Sequence, residues 1–409
     1  MTDADAAAVA LLRRAETIRE RCAQVFEAGR VGRLEHFSLD LDRLPGVVDY
    51  VRDVTLADYP SLDIPFHSRW RHFAAGGVDR WARLDRELGA LDRTEKARLR
   101  IDLAVTSVLL DAGAGPGWRY RERASGRDFT RSEGLAVASF DAFRAGLFST
   151  EPGRPLRADG NALRQIASER LGAAFQANPG NPLAGLDGRA ALLRRLGEAV
   201  TRQPALFGND ARIGNLADFL GAQALGGVLP AERILAALLE GFASIWPPRL
   251  SLGGEPLGDV GRHPAAGAAG LSDGLVPFHK LSQWLAYSLI EPLEGMGLKV
   301  VDIDALTGLP EYRNDGLFVD LGVLRPRFDP RAGPFDPLSE PIVEWRALTV
   351  VLLDRVAEGL RARLGLDATA FPVAKVLQGG TWAAGRKIAA EKRPGGGPPI
   401  DVVSDGTLF

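Results

Sequence analysis

Apolar residues return every three or four positions through 5–28, 81–112, 160–176, 186–202, 228–245, 277–291 and 341–364. That period predicts helices over those spans. Strand-like patterns are scarce and short: 116–123, 299–303 and 317–324 are the candidates. The expected class is therefore mainly α with small β pieces. Pro and Gly mark loops at 149–159, 177–185, 247–274 and 394–399. The third of these is long for a compact domain, so it is either functional or a surface excursion. No internal repeat and no independent linker interrupts the chain. One large helical domain over 1–409 is expected, with a division into 1–155 and 156–409 as the alternative.

A corner between two apolar segments runs through Leu306-Thr307-Gly308-Leu309-Pro310-Glu311-Tyr312-Arg313-Asn314-Asp315-Gly316. Asp304 can cap a short helix through Leu306, Gly308 can stop it, and Pro310 suits the first position of the next. Glu311 then falls in the first turn of that second helix. Backbone amides and the helix dipole favour a carboxylate there. Such a group is either a plain helix-end charge or an anion aimed at a ligand. Asn314-Asp315-Gly316 is a turn signal of its own and speaks against a continuous helix. Asp315 is the rival carboxylate.

Four further stretches offer chemistry. In 277–291, Phe278, Leu281, Leu285 and Leu289 form one apolar stripe. His279 and Gln283 lie on another face, with Lys280 and Trp284 beside them. This is a solvated face or a ligand wall, with Lys for an anion, Gln for an amide and Trp for stacking. In 342–356, Glu344 shares the face of Leu348 and Leu352. Its carboxylate must be paired, with Arg346, Arg313 or another base, or be functional. In 375–393, Gly379-Gly380-Thr381 precede a helix beginning near Trp382, with Arg386 and Lys387 close by. This is a capped surface helix or a phosphate cradle. In 64–70, Phe66 and His67 could line a pocket.

Composition narrows the classes. The chain is 46% hydrophobic and 25% charged with a net charge of −2, and both signs are mixed along it. No basic excess points to nucleic acid or a membrane surface. No apolar run is long enough to span a bilayer, and the start lacks a signal-peptide layout, so the cytoplasm is the expected compartment. One cysteine, Cys22, excludes an internal disulfide and a thiolate cluster. The five histidines form no HxH or HxxxH pair. His67 and His72 would sit on poorly matched helix faces. No metal and no cofactor is expected. The GxSxG, GxGxxG and HExxH signatures are absent, and the Gly-rich 113–117 reads as a turn.

The stretches GRLEHFSLDLDRLP, VPFHKLSQWLAYSLIEPLE, LTGLPEYRNDGLFVDLGVL and KVLQGGTWAAGRKIAAEKR together resemble a family of uracil-catabolism proteins of fungi and bacteria. That family is the fourth component of the URC pathway, Urg-three in some fungi. The likeness covers nearly the whole chain and implies a place in uracil breakdown to urea, beside other enzymes of that pathway. Residues 277–360 more distantly resemble the queuosine 5′-phosphate N-glycosylases of queuosine salvage. Lys280 and Gln283 match that family's Lys-Arg-Ala-Gln helix, while His279 and Ser282 depart from it. Leu306-Thr307 and Tyr312-Arg313 match its corner, and Glu311 stands where it has Asp. Gly322 and Leu324 match the end of its next helix, and Glu344 and Arg346 match its final helix. Its Leu-Pro-Gln after the Arg is replaced by Asn-Asp-Gly. The resemblance implies a helix–hairpin–helix glycosylase-like core in the C-terminal half.

These implications lead to a hydrolase of the N-ribosyl bond of a pyrimidine-derived nucleotide or of ribosylurea 5′-phosphate. Glu311 or Asp315 would stabilise the cation-like sugar, and His279 or Tyr312 would help the leaving group depart. Lys280, Arg386, Lys387 and the Gly379–Thr381 turn would hold a phosphate, and Trp284, Phe66 or Trp382 would wall a planar group. Gln283, Arg313, Glu344 and His67 complete the expected binding set. The alternatives are an amide or ureido hydrolase of the opened ring, or a non-catalytic partner of another pathway enzyme.

Overall fold

The long apolar period near the C-terminus forms the helix Glu340–Leu364, which ends at Gly365 in the left-handed conformation. A computed structural model describes residues 1–247, 249–267 and 269–403 of the protein. The fold is mainly α, as the periodicity predicts. Leu186–Arg202 forms as expected, but several predicted helices divide. The 81–112 span becomes Arg80–Leu88 and Arg93–Leu109, because Gly89 adopts positive φ and Asp92 caps the second helix on the Thr94 and Glu95 amides. The 5–28 span breaks at Arg13-Arg14 into Asp3–Leu12 and Ala15–Arg30. The 160–176 span becomes Gly160–Arg164 and Ser168–Ala174. The 228–245 span begins as a strand, Val228–Pro230, before the helix Ala231–Gly241.

The strands are short and scattered in two-stranded pairs. Lys299–Val301 lies parallel to Val228–Pro230. The 116–123 candidate contributes Tyr120–Arg121, paired with Asp128–Phe129. The 317–324 candidate is different: Leu317 to Asp320 finish a helix, and only Leu324–Pro326 pairs, with Phe37–Leu39. The long 247–274 loop holds a small hairpin, Ser251–Leu252 with Glu255–Pro256, and the strand Val260–Arg262, which pairs with Leu275–Pro277. Pro248 and Ala268 of that loop lie outside the described residues. One apolar core runs from Ala15 to Ile400, with a small satellite around Val9, Leu12 and Leu257. Among the described residues no helix is long and apolar enough to cross a membrane.

The helix Lys280–Gly295 starts later than its period suggests, because His279 turns into the left-handed region at φ 47°. Asp259 enforces that entry. Its carbonyl accepts from the Phe278 and His279 amides, and its carboxylate from the Lys280 amide at 2.9 Å. The same carboxylate forks onto Arg346 at 2.8 Å through both oxygens, tying this helix to Glu340–Leu364.

Candidate active site

The Lys280 helix holds the 306–311 corner with one amide side chain. Gln283 accepts from the Thr307 amide at 2.7 Å and donates to the Thr307 hydroxyl and the Phe278 carbonyl. The Tyr287 hydroxyl donates to the Thr307 carbonyl at 2.8 Å. Gly308 packs against Leu353 instead of ending a helix with positive φ. Glu311 is the N-cap of the helix Tyr312–Asp320, one position before the first turn, and accepts from the Asn314 amide at 2.9 Å. The turn signal at 314–316 is overridden. Asn314 donates back to the Leu309 carbonyl, and Gly316 lets Pro399 approach. Glu311, Tyr312 and Arg313 then face a cavity of about 470 Å³, within the size range of small-molecule sites.

Of the two rival carboxylates, Glu311 lines the cavity and Asp315 does not. Asp315 is fully buried behind it, with Thr349 alongside, yet neither oxygen meets hydrogen-bond geometry. Burial, and then the charge of Glu311, push its carboxyl well above the usual carboxylate range.

Another part of the wall rests on Arg69, from the 64–70 stretch, and on the Gly-rich turn. Arg69 is fully buried, pairs with Asp111 at 2.8 Å, and donates to the Ser107 hydroxyl and the Ser132 carbonyl. It joins the end of Arg93–Leu109 to the start of the helix Arg131–Arg144. Arg189 clamps the Gly-rich turn through the Leu110, Ala112 and Gly113 carbonyls. The stretch read as a turn is thus a cavity wall, Asp111 to Pro116, with Arg131 and Ser132 beside it. Pro398, Ile400 and Val402 of the tail also line it. Arg393 anchors the approach to that tail by forking onto Asp320.

Aromatic rings and two histidines link the walls. His67 and His72 each contact both Trp284 and Trp382. They converge because His67 precedes the short helix Arg69–Phe73 while His72 lies within it, so the helical-face argument does not apply. Burial lowers the His67 ring to about 4, against a hydrogen bond with Gln378, and lowers His72 well below the ordinary value, aided by Arg69. Both rings are neutral at pH 7. The unfolded chain protonates His67 near about 6.5, the folded protein only near about 4. The neutral ring's contribution to stability therefore falls as pH drops through that window. Histidine ring resonances in the folded protein should show His67 unprotonated from pH 7.5 to about 5. A midpoint near 6.5 would contradict the buried placement.

Burial also lowers the Lys280 ammonium, with Arg346 adding to it and Asp259 and Glu311 opposing. Burial raises the Tyr312 hydroxyl, which keeps it a hydrogen-bond donor. Trp382 is placed over Arg313 by close helix contact: a Cβ at Gly385 would strike the Arg313 carbonyl.

Other expected residues lie elsewhere. The His279 ring sits 2.9 Å from the Leu12 carbonyl, fully packed and outside the cavity. Gln283 positions the corner and does not line the space. Phe66 is half-buried beneath Lys375 and is not part of the wall. Thr381 is buried, and Gly379-Gly380-Thr381 form a wide helical turn, not an open cradle. Those glycines admit Ile64 and Val51 against the backbone. Arg386 pairs with Glu133 at 3.7 Å, and Lys387 lies over Tyr50. Glu344 pairs with His263 at 3.0 Å, not with Arg346 or Arg313.

His263, Glu340 and Glu344 stand close enough to hold a cation. The Ala265 amide, however, donates to His263 Nδ1 at 3.1 Å. That leaves the proton of a neutral ring on Nε2, where it donates to Glu344. A metal on Nε2 would need that nitrogen's lone pair, so the donor set fits a hydrogen bond better than a metal.

A cavity of this size, with charged groups set among aromatic walls, falls within the range of small-molecule sites. The chain belongs to the family described as "Protein of unknown function (DUF1688)", which it matches over residues 11–409. It is 43% identical to Protein urg3 of Schizosaccharomyces pombe over 411 residues, 98% of this chain and 99% of that protein. It is 39% identical to Uracil catabolism protein 4 of Lachancea kluyveri over 428 residues, 96% and 97% of the two chains. The resemblance to the uracil-catabolism family is thereby borne out.

Proposed function

We propose that the protein acts in uracil catabolism as a hydrolase of the N-ribosyl bond of a small phosphorylated pyrimidine derivative, uridine 5′-phosphate or ribosylurea 5′-phosphate. The observation that carries this is Glu311. It is a helix-capping carboxylate on the wall of the cavity, with Lys280, Tyr312 and Trp284 around it. Breaking a ribosyl C–N bond builds positive charge on the sugar, and a fixed anion stabilises that charge more than it stabilises the substrate. Water adds to the anomeric carbon as the nitrogen leaves with its bonding pair. One proton of the water is released to solvent, and the leaving group gains one. Tyr312, held protonated by burial, is a hydroxyl donor on the cavity wall, and of the two groups expected in this role, His279 and Tyr312, it is the one that lines the cavity. Trp284 and Trp382 give the cavity aromatic walls for a planar ureido or pyrimidine group. The distant likeness to the queuosine 5′-phosphate N-glycosylases, and with it a glycosylase-like core, supports this chemistry.

The test is incubation with each compound and assay of free ribose 5-phosphate, with and without a chelator. Release that persists in chelator is the expected result. Release of ammonia or carbon dioxide without the sugar phosphate, abolished by chelator, would favour a ureido hydrolase instead. Co-purification with another pathway enzyme, with no turnover and no effect of Glu311→Gln, would favour a non-catalytic role.

A further inference from the structure

An arginine enclosed in a protein is normally matched by a carboxylate, because an unpaired buried charge is costly. Arg80 with Glu122, Arg212 with Asp102 and Arg346 with Asp259 follow that rule. Arg313 does not. It is 7% exposed and lines the cavity. Its guanidinium meets rings, 4.0 Å from the Trp382 centroid and 5.1 Å from that of Tyr312. No carboxylate among the described residues forms an ion pair with it. It lines the cavity and hydrogen-bonds the neighbouring Tyr312 hydroxyl.

A second cation converges on the same place. Arg131 lines the cavity and lies near enough to Tyr312 to act on its hydroxyl, as Arg313 does. It begins the helix Arg131–Arg144, whose N-cap Thr130 gives no side-chain hydrogen bond. The first amides and the helix dipole therefore favour an anion there. Ser132 adds a hydroxyl on the same wall. Of the nearby acids, Asp111 pairs with Arg69 and Glu133 with Arg386, while Glu311 caps its own helix on the Asn314 amide.

We infer that Arg313, Arg131 and the first amides of the Arg131 helix form the subsite that takes the phosphate monoester of the ligand. This deepens the N-ribosyl reading and rests on it only in naming a sugar phosphate. The planar fork of Arg313, packed against the Tyr312 and Trp382 rings, suits two oxygens of one phosphate. Of the phosphate-binding set expected from the sequence, Lys280 lines this cavity, while Arg386, Lys387 and Gly379–Thr381 do not.

Calorimetry on the intact protein tests this with ribose 5-phosphate, ribose, inorganic phosphate and 3-ureidopropionate. Ribose 5-phosphate should bind at least about tenfold more tightly than ribose, a minimal effect for a charged hydrogen-bonded pair. Arg313→Ala and Arg131→Ala should each weaken ribose 5-phosphate and inorganic phosphate at least about tenfold, and ribose little. Arg386→Ala should stay within about twofold, as an exposed residue outside the cavity. If circular dichroism shows Arg313→Ala unfolded, the exposed Arg131 variant decides. Equal binding of ribose and its phosphate, or an Arg386 loss as large as the Arg131 loss, overturns the subsite. So does 3-ureidopropionate binding more tightly than ribose 5-phosphate through Arg313, which would mark a carboxylate site. Expected phosphate binding with no ribose 5-phosphate released would leave the subsite standing and remove the hydrolase.

Discussion

Glu311→Gln should lower turnover of the phosphorylated substrate by at least about a hundredfold while the protein stays folded. The substitution separates two roles of one side chain. The Gln carbonyl can still accept from the Asn314 amide, now at 2.9 Å, so the helix cap survives. Only the negative charge facing the cavity is lost. Glu311→Ala should remove both and add a stability loss of about 1 kcal/mol, the usual worth of a cap. The effect of Glu311→Gln should fall on kcat more than on KM, since the charge matters most when the sugar is cation-like. A Gln variant within about threefold of the parent in kcat would contradict a charge-stabilising role, whose loss costs far more.

Asp259→Ala should destabilise the protein by about 3–5 kcal/mol, measured by denaturant unfolding. It strands Arg346, which is fully buried, without its carboxylate. It also removes the side-chain acceptor at the start of the Lys280 helix. Burial alone would raise the Asp259 carboxyl, but the charge and hydrogen bonds of Arg346, with the Lys280 amide, hold it down at about 2. Since the folded value lies below the unfolded value of about 4, its stabilisation is present above about pH 4. It is lost as pH falls from there toward 2. The double variant Asp259→Ala/Arg346→Met should recover much of the loss, because no charge is then left unpaired. No recovery would mean that the pair acts mainly through the helix entry.

The sequence period located most helices to within a few residues where a single apolar stripe packs on the core, as in 186–202 and 341–364. It overran at Gly89 and at Arg13-Arg14, where local breaks fall inside a continuing apolar pattern. The 314–316 turn signal failed because burial of Asn314 and Asp315, and the Asn314 bond to Leu309, outweigh local preference. Glu311, Tyr312, Arg313, Lys280, Trp284, Trp382 and His67 reach the cavity as the corner and the aromatic stretches suggested. Asp111, Arg131 and His72 do not announce themselves. Their neighbours along the chain give no motif, and only packing of distant helices gathers them.

The chain's order of apolar and polar residues was enough to determine a mainly α protein with a corner between two apolar segments at residues 306–311. It also marked Glu311 as a carboxylate at a helix start, because capping and dipole effects act over a few residues. Tertiary structure alone decided which charges are paired. Arg346 found Asp259, Glu344 found His263, and Arg313 was left with rings and an open cavity. The reason is physical: the free energy of a buried charge depends on partners brought from far along the chain, and local sequence carries no record of them.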